Sequence, residues 1–251
     1  MEKKNSVPYK IIKSIIKAVY PTITPVGKEN IPDEPSIIVA NHTQLHGPLI
    51  TELYSPVERY TWCAAQMMKF KEVPSYAFED FWSQKPKYTH PFYRLASYLI
   101  TPISVCLFNN ANTIPVYHDA RILSTFKATM KLLAEGQHIV IFPEHDVKHN
   151  HIIYDFQERF IDIARMYYRK SGVELSFVPT YISPKLKEIH YGKPIKFDHN
   201  APIDDERRRI CEYLMEEITS IAEALPEHTV VPYRNIKKKD YPKNKRGTDN
   251  A

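Results

Sequence analysis

The sequence predicts an α/β fold: a largely parallel central sheet flanked by helices, with an N-terminal amphipathic helix. Two observations carry this. Short apolar, β-prone runs alternate with stretches of helical period along most of the chain, which is the pattern of βαβ units. A chain of 251 residues, 43% hydrophobic and 25% charged, suits one sizeable domain with appendages. In such sheets the chemistry sits at the carboxyl ends of the strands. Two predicted strands end in polar side chains there, one at Asn41-His42 and the other at Phe142-Pro143-Glu144.

The elements follow in order. Residues 9–20 have a helical pattern with Lys10, Lys13 and Lys17 on one face, Ile12, Ile15, Ile16 and Val19 on the other, and Pro21 as the stop. A basic face with flanking tyrosines suits a helix in a membrane interface; a surface helix capping the core has the same pattern. A strand at 36–41, a helix at 47–54, a strand at 59–65 and a helix at 73–82 come next. Residues 92–108 are apolar, but Arg94 and Pro102 interrupt them, so the uninterrupted part is too short to span a bilayer. A buried helix and a membrane-dipping hairpin both fit.

A strand at 113–117 leads to a helix at 121–135, with Ile122, Phe126, Met130 and Leu133 on one face and Gly136 at the C-cap. Residues 138–143 read as a buried strand. Residues 156–170 read as a helix with Phe156, Phe160, Ile163, Ala164 and Tyr167 inward. Strands at 174–182 and 188–197 precede the last helix, 205–225. Asp204, Asp205 and Glu206 suit the positive end of its dipole, and Ile210, Leu214, Ile218, Ile221 and Leu225 form its core stripe. The implied organisation is a basic interface segment at 1–25, a domain at 26–230 and a basic C-terminal tail at 231–251, with residues 234–251 reading as disordered.

Charge is concentrated at the ends. Residues 1–20 carry a net +4 and residues 234–251 a net +5, so residues 21–233 carry −4 of the total +5. Basic ends suit an anionic membrane surface. The acidic middle, with no basic-aromatic module, argues against nucleic acid as a partner. Six glycines form neither a phosphate loop nor a dinucleotide fingerprint. Cys63, Cys106 and Cys211 make neither a zinc knuckle nor a disulfide framework, which favours a reducing compartment. The N-terminus lacks the apolar core and cleavage site of a signal peptide.

Four blocks resemble the glycerolipid acyltransferase family, whose best-known members act on lysophosphatidate. Asn41-His42 through Gly47 resembles its Asn-His-x-x-x-x-Asp block. Thr113-Ile114-Pro115-Val116-Tyr117-His118 resembles the second block, Ile141-Phe142-Pro143-Glu144 the Phe-Pro-Glu-Gly block, and Phe177-Val178-Pro179-Thr180-Tyr181 the Val-Pro block. Met68 to Pro74 and Ile189 to Ile195 support them, and the similarity covers about residues 26–225. Each block is weak alone; their joint order and spacing carry the resemblance.

The resemblance implies transfer of a fatty acyl group from a thioester, on coenzyme A or acyl carrier protein, to a glycerolipid hydroxyl. No resident cofactor is implied. The partners are the acyl thioester donor, a lysolipid or similar hydroxyl acceptor, and an anionic membrane surface. The place implied is the cytoplasmic side of a membrane, peripherally. His42 is the general base, a role that contributes roughly 10²–10⁴-fold. Glu144, His46 and Asp146 are the further catalytic candidates. Asn41, Gly47, His118, Arg121, Phe142, Pro143, His145, Lys148 and Pro179 are the substrate-binding candidates, with blocks two and three holding the acceptor's head and block four shaping the donor site.

The chain departs from the family at three points. Gly47 stands where the aspartate that orients the histidine belongs. In serine proteases, changing that aspartate to its amide costs about 10⁴ in turnover. Candidate replacements are Glu144, Asp146, Glu52 or a backbone carbonyl; His46 shares a face with His42 if the turn is helical. His118 stands where an arginine is expected and lacks the guanidinium fork, with Arg121 three residues on as a substitute. Block three continues His145-Asp146-Val147-Lys148-His149-Asn150-His151 instead of Gly-Thr-Arg-Ser.

Two other function classes share these residues. The missing aspartate suits a non-catalytic relative that binds acyl thioesters or lipids. The imidazoles and carboxylates of His42, His46, Glu144, His145, Asp146, His149 and His151 suit a metal-dependent hydrolase, though their spacing matches no established ligand signature.

Overall fold

The computed structural model describes residues 6–117, 119–145 and 151–245. The helices are α1 (Val7–Val19), α2 (His46–Tyr54), α3 (Val73–Ala77), α4 (His90–Asn110), α5 (Ile122–Ala134), α6 (Asp162–Ser171) and α7 (Ile203–Ala224). The strands are β1 (Thr24–Val26), β2 (Ser36–Ala40), β3 (Arg59–Ala64), β4 (Thr113–Val116), β5 (His138–Ile141), β6 (Ser176–Ser183), β7 (Glu188–Tyr191) and β8 (Ile195–Lys196). The molecule is an α/β protein whose strands pair mostly in parallel. The expected strand at 188–197 is two strands, broken at Gly192-Lys193-Pro194.

Contacts divide the chain into two units, Met1–Pro21 with Thr61–Thr125 and Thr22–Tyr60 with Phe126–Ala251. This differs from the division at 25 and 230 expected from composition. Composition marks the charged ends, whereas contacts place each end with the elements it packs against.

In the second unit the sheet runs β1-β7-β6-β2-β5, with β8 beside the start of β6. β2 lies between β5 and β6 and pairs with both in parallel; β6 pairs antiparallel with β7 and β8. All residues of β2, β5 and β6 are buried, which explains why they read as continuous apolar runs. α7 packs on β6 through Ile210, Leu214, Ile218 and Ala222. Phe160, just ahead of α6, meets the ring of Phe177 edge-on at 5.9 Å.

The register sets the site. Val39 lies beside Ile141, so β2 and β5 end level with each other. The residues that follow, Asn41-His42 and Phe142-Pro143-Glu144, emerge as neighbours.

The segment after α7 is not a loose tail. Asn244, fully buried, donates through Nδ2 to the carbonyls of Ala222, Leu225 and Pro226, at 2.8, 3.3 and 3.2 Å. Its Oδ1 accepts from the His228 N–H at 2.8 Å, and the His228 ring meets the Tyr181 hydroxyl at 2.8 Å. Thr229 and Lys243 form an antiparallel bridge. Residues 226–245 therefore return along the sheet as a strap. Its charge suggests disorder, but uncharged residues such as Asn244 and His228 supply the anchors.

In the first unit β3 and β4 pair in parallel, Thr61 beside Thr113. α4 packs on α3, with the Ser104 hydroxyl donating to the Met67 carbonyl at 3.2 Å. α1 packs on α4, and the Ser6 N–H donates to Asn110 Oδ1 at 3.3 Å. Tyr9 is the buried residue of α1, while Ile15 and Val19, on the apolar face with Ile12 and Ile16, are exposed. Residues 92–108 form a single helix rather than a hairpin. It is not a buried one either, since only 17% of its apolar window is covered.

Candidate active site

Asn41 closes the end of β2. Its Oδ1 accepts from the Ile182 N–H at 2.6 Å and its Nδ2 donates to the Ile182 carbonyl at 3.0 Å. Both polar groups of this buried amide are thus spent on the backbone of β6, which fixes where the next residue starts.

That residue is His42. Thr43 and Gln44 follow with φ of 46° and 55°, in the left-handed region that non-glycine residues rarely occupy. The turn closes when the Gly47 N–H donates to the His42 carbonyl at 3.1 Å. A Cβ on residue 47 would collide with that carbonyl oxygen and lie 3.0 Å from the Phe142 ring. Gly47 is therefore a steric requirement of this loop. The turn is also not the α-helical one that would stack His42 and His46, because α2 begins only at His46.

The His42 ring is enclosed by two aromatic rings. Phe142 meets it edge-on at 5.1 Å and Tyr233, from the strap, lies tilted over it at 4.5 Å. Gln44 ties the same loop to the strap, donating to the Tyr241 hydroxyl at 3.0 Å and the Arg234 carbonyl at 3.4 Å. Burial pulls the imidazole pKa from 6.5 down to about 4, opposed in part by the backbone carbonyls of Gln44 and of His42 itself. Nδ1 is buried and has no hydrogen-bond partner among the described residues; neither has the adjacent Thr43 hydroxyl.

Glu144 is buried and adjacent. Its Oε1 accepts from the His42 backbone N–H at 2.5 Å. It thus holds the main chain of His42, and its own main chain is fixed by a bridge to Phe156. Glu52, another candidate to replace the aspartate, is bound by Arg59 at 2.7 Å. His46 is half-buried, and its pKa is lowered by burial first and then by the charges of Lys185 and Lys238.

The remaining sequence candidates fall in different places. The Pro143 carbonyl accepts from the Gln157 N–H at 2.8 Å. His145 is exposed, its ring 3.7 Å from Asp155. Pro179 is buried in β6 beside Val39, with its carbonyl bound by the Gly192 N–H, so it belongs to the core under the site. Arg121 belongs to the first unit, where it grips Asp119 with two nitrogens and stacks over Tyr117 at 4.4 Å. His118, Asp146 and Lys148 lie outside the described residues. Among the described residues the His/Asp/Glu group close enough to share a metal is Glu174, Asp198 and His199, none of them from the set expected for a hydrolase.

Sequence reasoning missed Tyr233, Gln44 and Tyr241. Gln44 lies inside block one without being part of its pattern. No sequence signal marks the two tyrosines, which reach the site only because the strap returns.

Fold and site together define an α/β protein that presents a histidine at the carboxyl end of a central parallel strand. No protein-family model matches the sequence, and no curated protein sequence matches it. Among solved structures the chain is similar to the 1-acyl-sn-glycerophosphate (LPA) acyltransferase PlsC from Thermotoga maritima. The TM-score is 0.46 and the identity 14%, over 84% of this chain and 81% of that chain.

Proposed function

We propose that the protein is an O-acyltransferase of membrane surfaces, which moves a fatty acyl group from an acyl thioester to a lysolipid or similar hydroxyl. The observation that carries this is the His42 imidazole: neutral at physiological pH, at the end of β2, with the Phe142-Pro143-Glu144 block beside it. The four motif resemblances in order along the chain support it.

In the reaction, a ring nitrogen of His42 takes the acceptor hydroxyl's proton while that oxygen attacks the thioester carbonyl carbon. The C–S bond breaks, and the thiolate leaves with the proton returned by the imidazolium. Glu144 is a positioning residue. Its carboxyl fixes the His42 backbone, and a hydrogen bond of this kind contributes about 0.5–1.5 kcal/mol. Coenzyme A and acyl carrier protein are both donors of the required chemistry. A cytoplasmic membrane surface fits the basic helix α1.

A second reading, a non-catalytic acyl- or lipid-binding relative, is favoured by one observation. Nδ1 of the His42 ring makes no hydrogen bond among the described residues, so only the backbone carbonyls of Gln44 and of His42 itself favour an imidazolium there. One assay separates the two. Thiol release is measured from a panel of acyl-CoA donors with lysolipid acceptors, for wild type and His42→Ala. The enzyme reading requires wild type to be faster by roughly 10²-fold or more. Equal, slow release leaves the binding reading.

A further inference from the structure

α4 is built inside out. Its buried residues are Ser97, Thr101 and Ser104, small and polar. Its opposite stripe is large and apolar: Phe92, Leu95, Leu99 and Ile103 are 69%, 60%, 68% and 50% exposed, with Tyr98 beside them at 66%. A helix that packs only on protein shows the reverse pattern, with its apolar stripe facing the core. The inward hydroxyls are satisfied locally, Thr101 donating to the Ser97 carbonyl at 2.8 Å and Ser97 to the Arg94 carbonyl at 2.7 Å. The inner face therefore leaves no hydroxyl unpaired, and among the described residues the outer stripe is left uncovered.

The neighbouring helix repeats the arrangement. α1, packed on α4, exposes Val7, Ile11, Ile15 and Val19 at 70%, 55%, 59% and 79%. Neither helix contains an acidic residue, and none occurs between Ser83 and Tyr117. Within the two helices the charges are Lys10, Lys13, Lys17 and Arg94, and Lys85 and Lys87 precede α4. An apolar stripe on helices whose own charges are all cationic repels a second copy of itself and attracts an anionic surface.

We propose that the outer stripe of α4, Phe92 to Ile103, inserts into the acyl-chain region of an anionic bilayer, with α1 alongside in the headgroup layer. The inference rests on the membrane-surface reading above, and names the element that enters the hydrocarbon. The helix lies along the membrane and does not cross it. Its inner face is held by protein at both ends: Trp82 stacks on Tyr93 at 5.6 Å near the start, and Asn109 Nδ2 donates to the Met68 carbonyl at 2.9 Å near the end. Its length of about 31 Å is then contact along the surface.

The test uses the full chain and vesicles of phosphatidylcholine with phosphatidylglycerol, their acyl chains brominated. Leu99→Trp reports on α4 and Ile15→Trp on α1, each read as fluorescence quenched beyond that of the parent. Quenching at position 99, with binding weakened roughly tenfold or more by Leu95→Glu/Leu99→Glu, is the expected result. Quenching at 15 without quenching at 99 overturns the inference and leaves the membrane reading standing. A protein that stays in solution with neither position quenched removes both. Should the double glutamate variant dissociate a dimer and bind vesicles as before, the stripe is a protein interface and the inference falls.

Discussion

Restoring the family aspartate at Gly47 should damage this protein. The motif suggests that Gly47→Asp repairs the catalytic pair, but the loop geometry predicts the opposite. With the Gly47 N–H bonded to the His42 carbonyl, any side chain at 47 starts against that oxygen, with the Phe142 ring 3.0 Å away on another side. Ordinary contact requires the backbone to open by about 1 Å, and the obstacle is main chain, so no rotamer relieves it. Overpacking of this kind costs about 1–3 kcal/mol. For a chain of this size that lowers Tm by about 2–4 °C per kcal/mol. The opening also moves the main chain of His42, whose N–H is held by Glu144 at 2.5 Å. The assay is thermal unfolding together with acyl transfer, for Gly47→Asp and Gly47→Ala. Both variants should lose stability and activity, because the clash belongs to the Cβ and not to the charge. An aspartate variant as stable as wild type and faster in transfer, with alanine impaired, would refute the reasoning and show that the loop relaxes to the family geometry.

Other expectations follow from the same contacts. The His42 pKa is lowered, so the unfolded chain binds the extra proton; the stability gained by keeping the ring neutral is whole above about pH 6.5 and lost as pH falls towards 4. Urea unfolding across that window should show the slope, and His42→Phe should lessen it, leaving the part that the lowered His46 and His138 contribute. For the same reason transfer should lose its base near pH 4 rather than 6.5, as a pH–rate profile reads. Tyr233→Ala removes one ring covering the imidazole, so the His42 pKa should rise towards 6.5 in an NMR titration; an unmoved value would show that the strap does not cause the burial. Asn41→Ala leaves the Ile182 N–H and carbonyl without partners, which should cost about 1–3 kcal/mol per unpaired group in unfolding, with KM for the lysolipid unchanged.

Much of the fold was legible because its signals are local. β2, β5 and β6 read as strands from their apolar runs, and α7 from its period, since each pattern lies within one window of sequence. The strand ends at His42 and Glu144 were legible for the same reason, and the parallel register brought them together. Less legible was what each candidate does. Asn41 and Pro179, marked by motif as substrate contacts, are held by the backbone or buried in the sheet. Glu144 grips main chain rather than the imidazole.

The sequence by itself determined the order of elements, the α/β class, the histidine at the end of a central strand and the basic character of both ends. These depend on neighbours within a few residues. Only the tertiary structure decided that a turn with two left-handed residues makes Gly47 obligatory, that Tyr233 closes over His42, and that α4 turns its apolar side outward. Each of these depends on contacts between residues far apart in the chain, or on which face of a helix meets protein, and periodicity gives the faces without saying which one is covered.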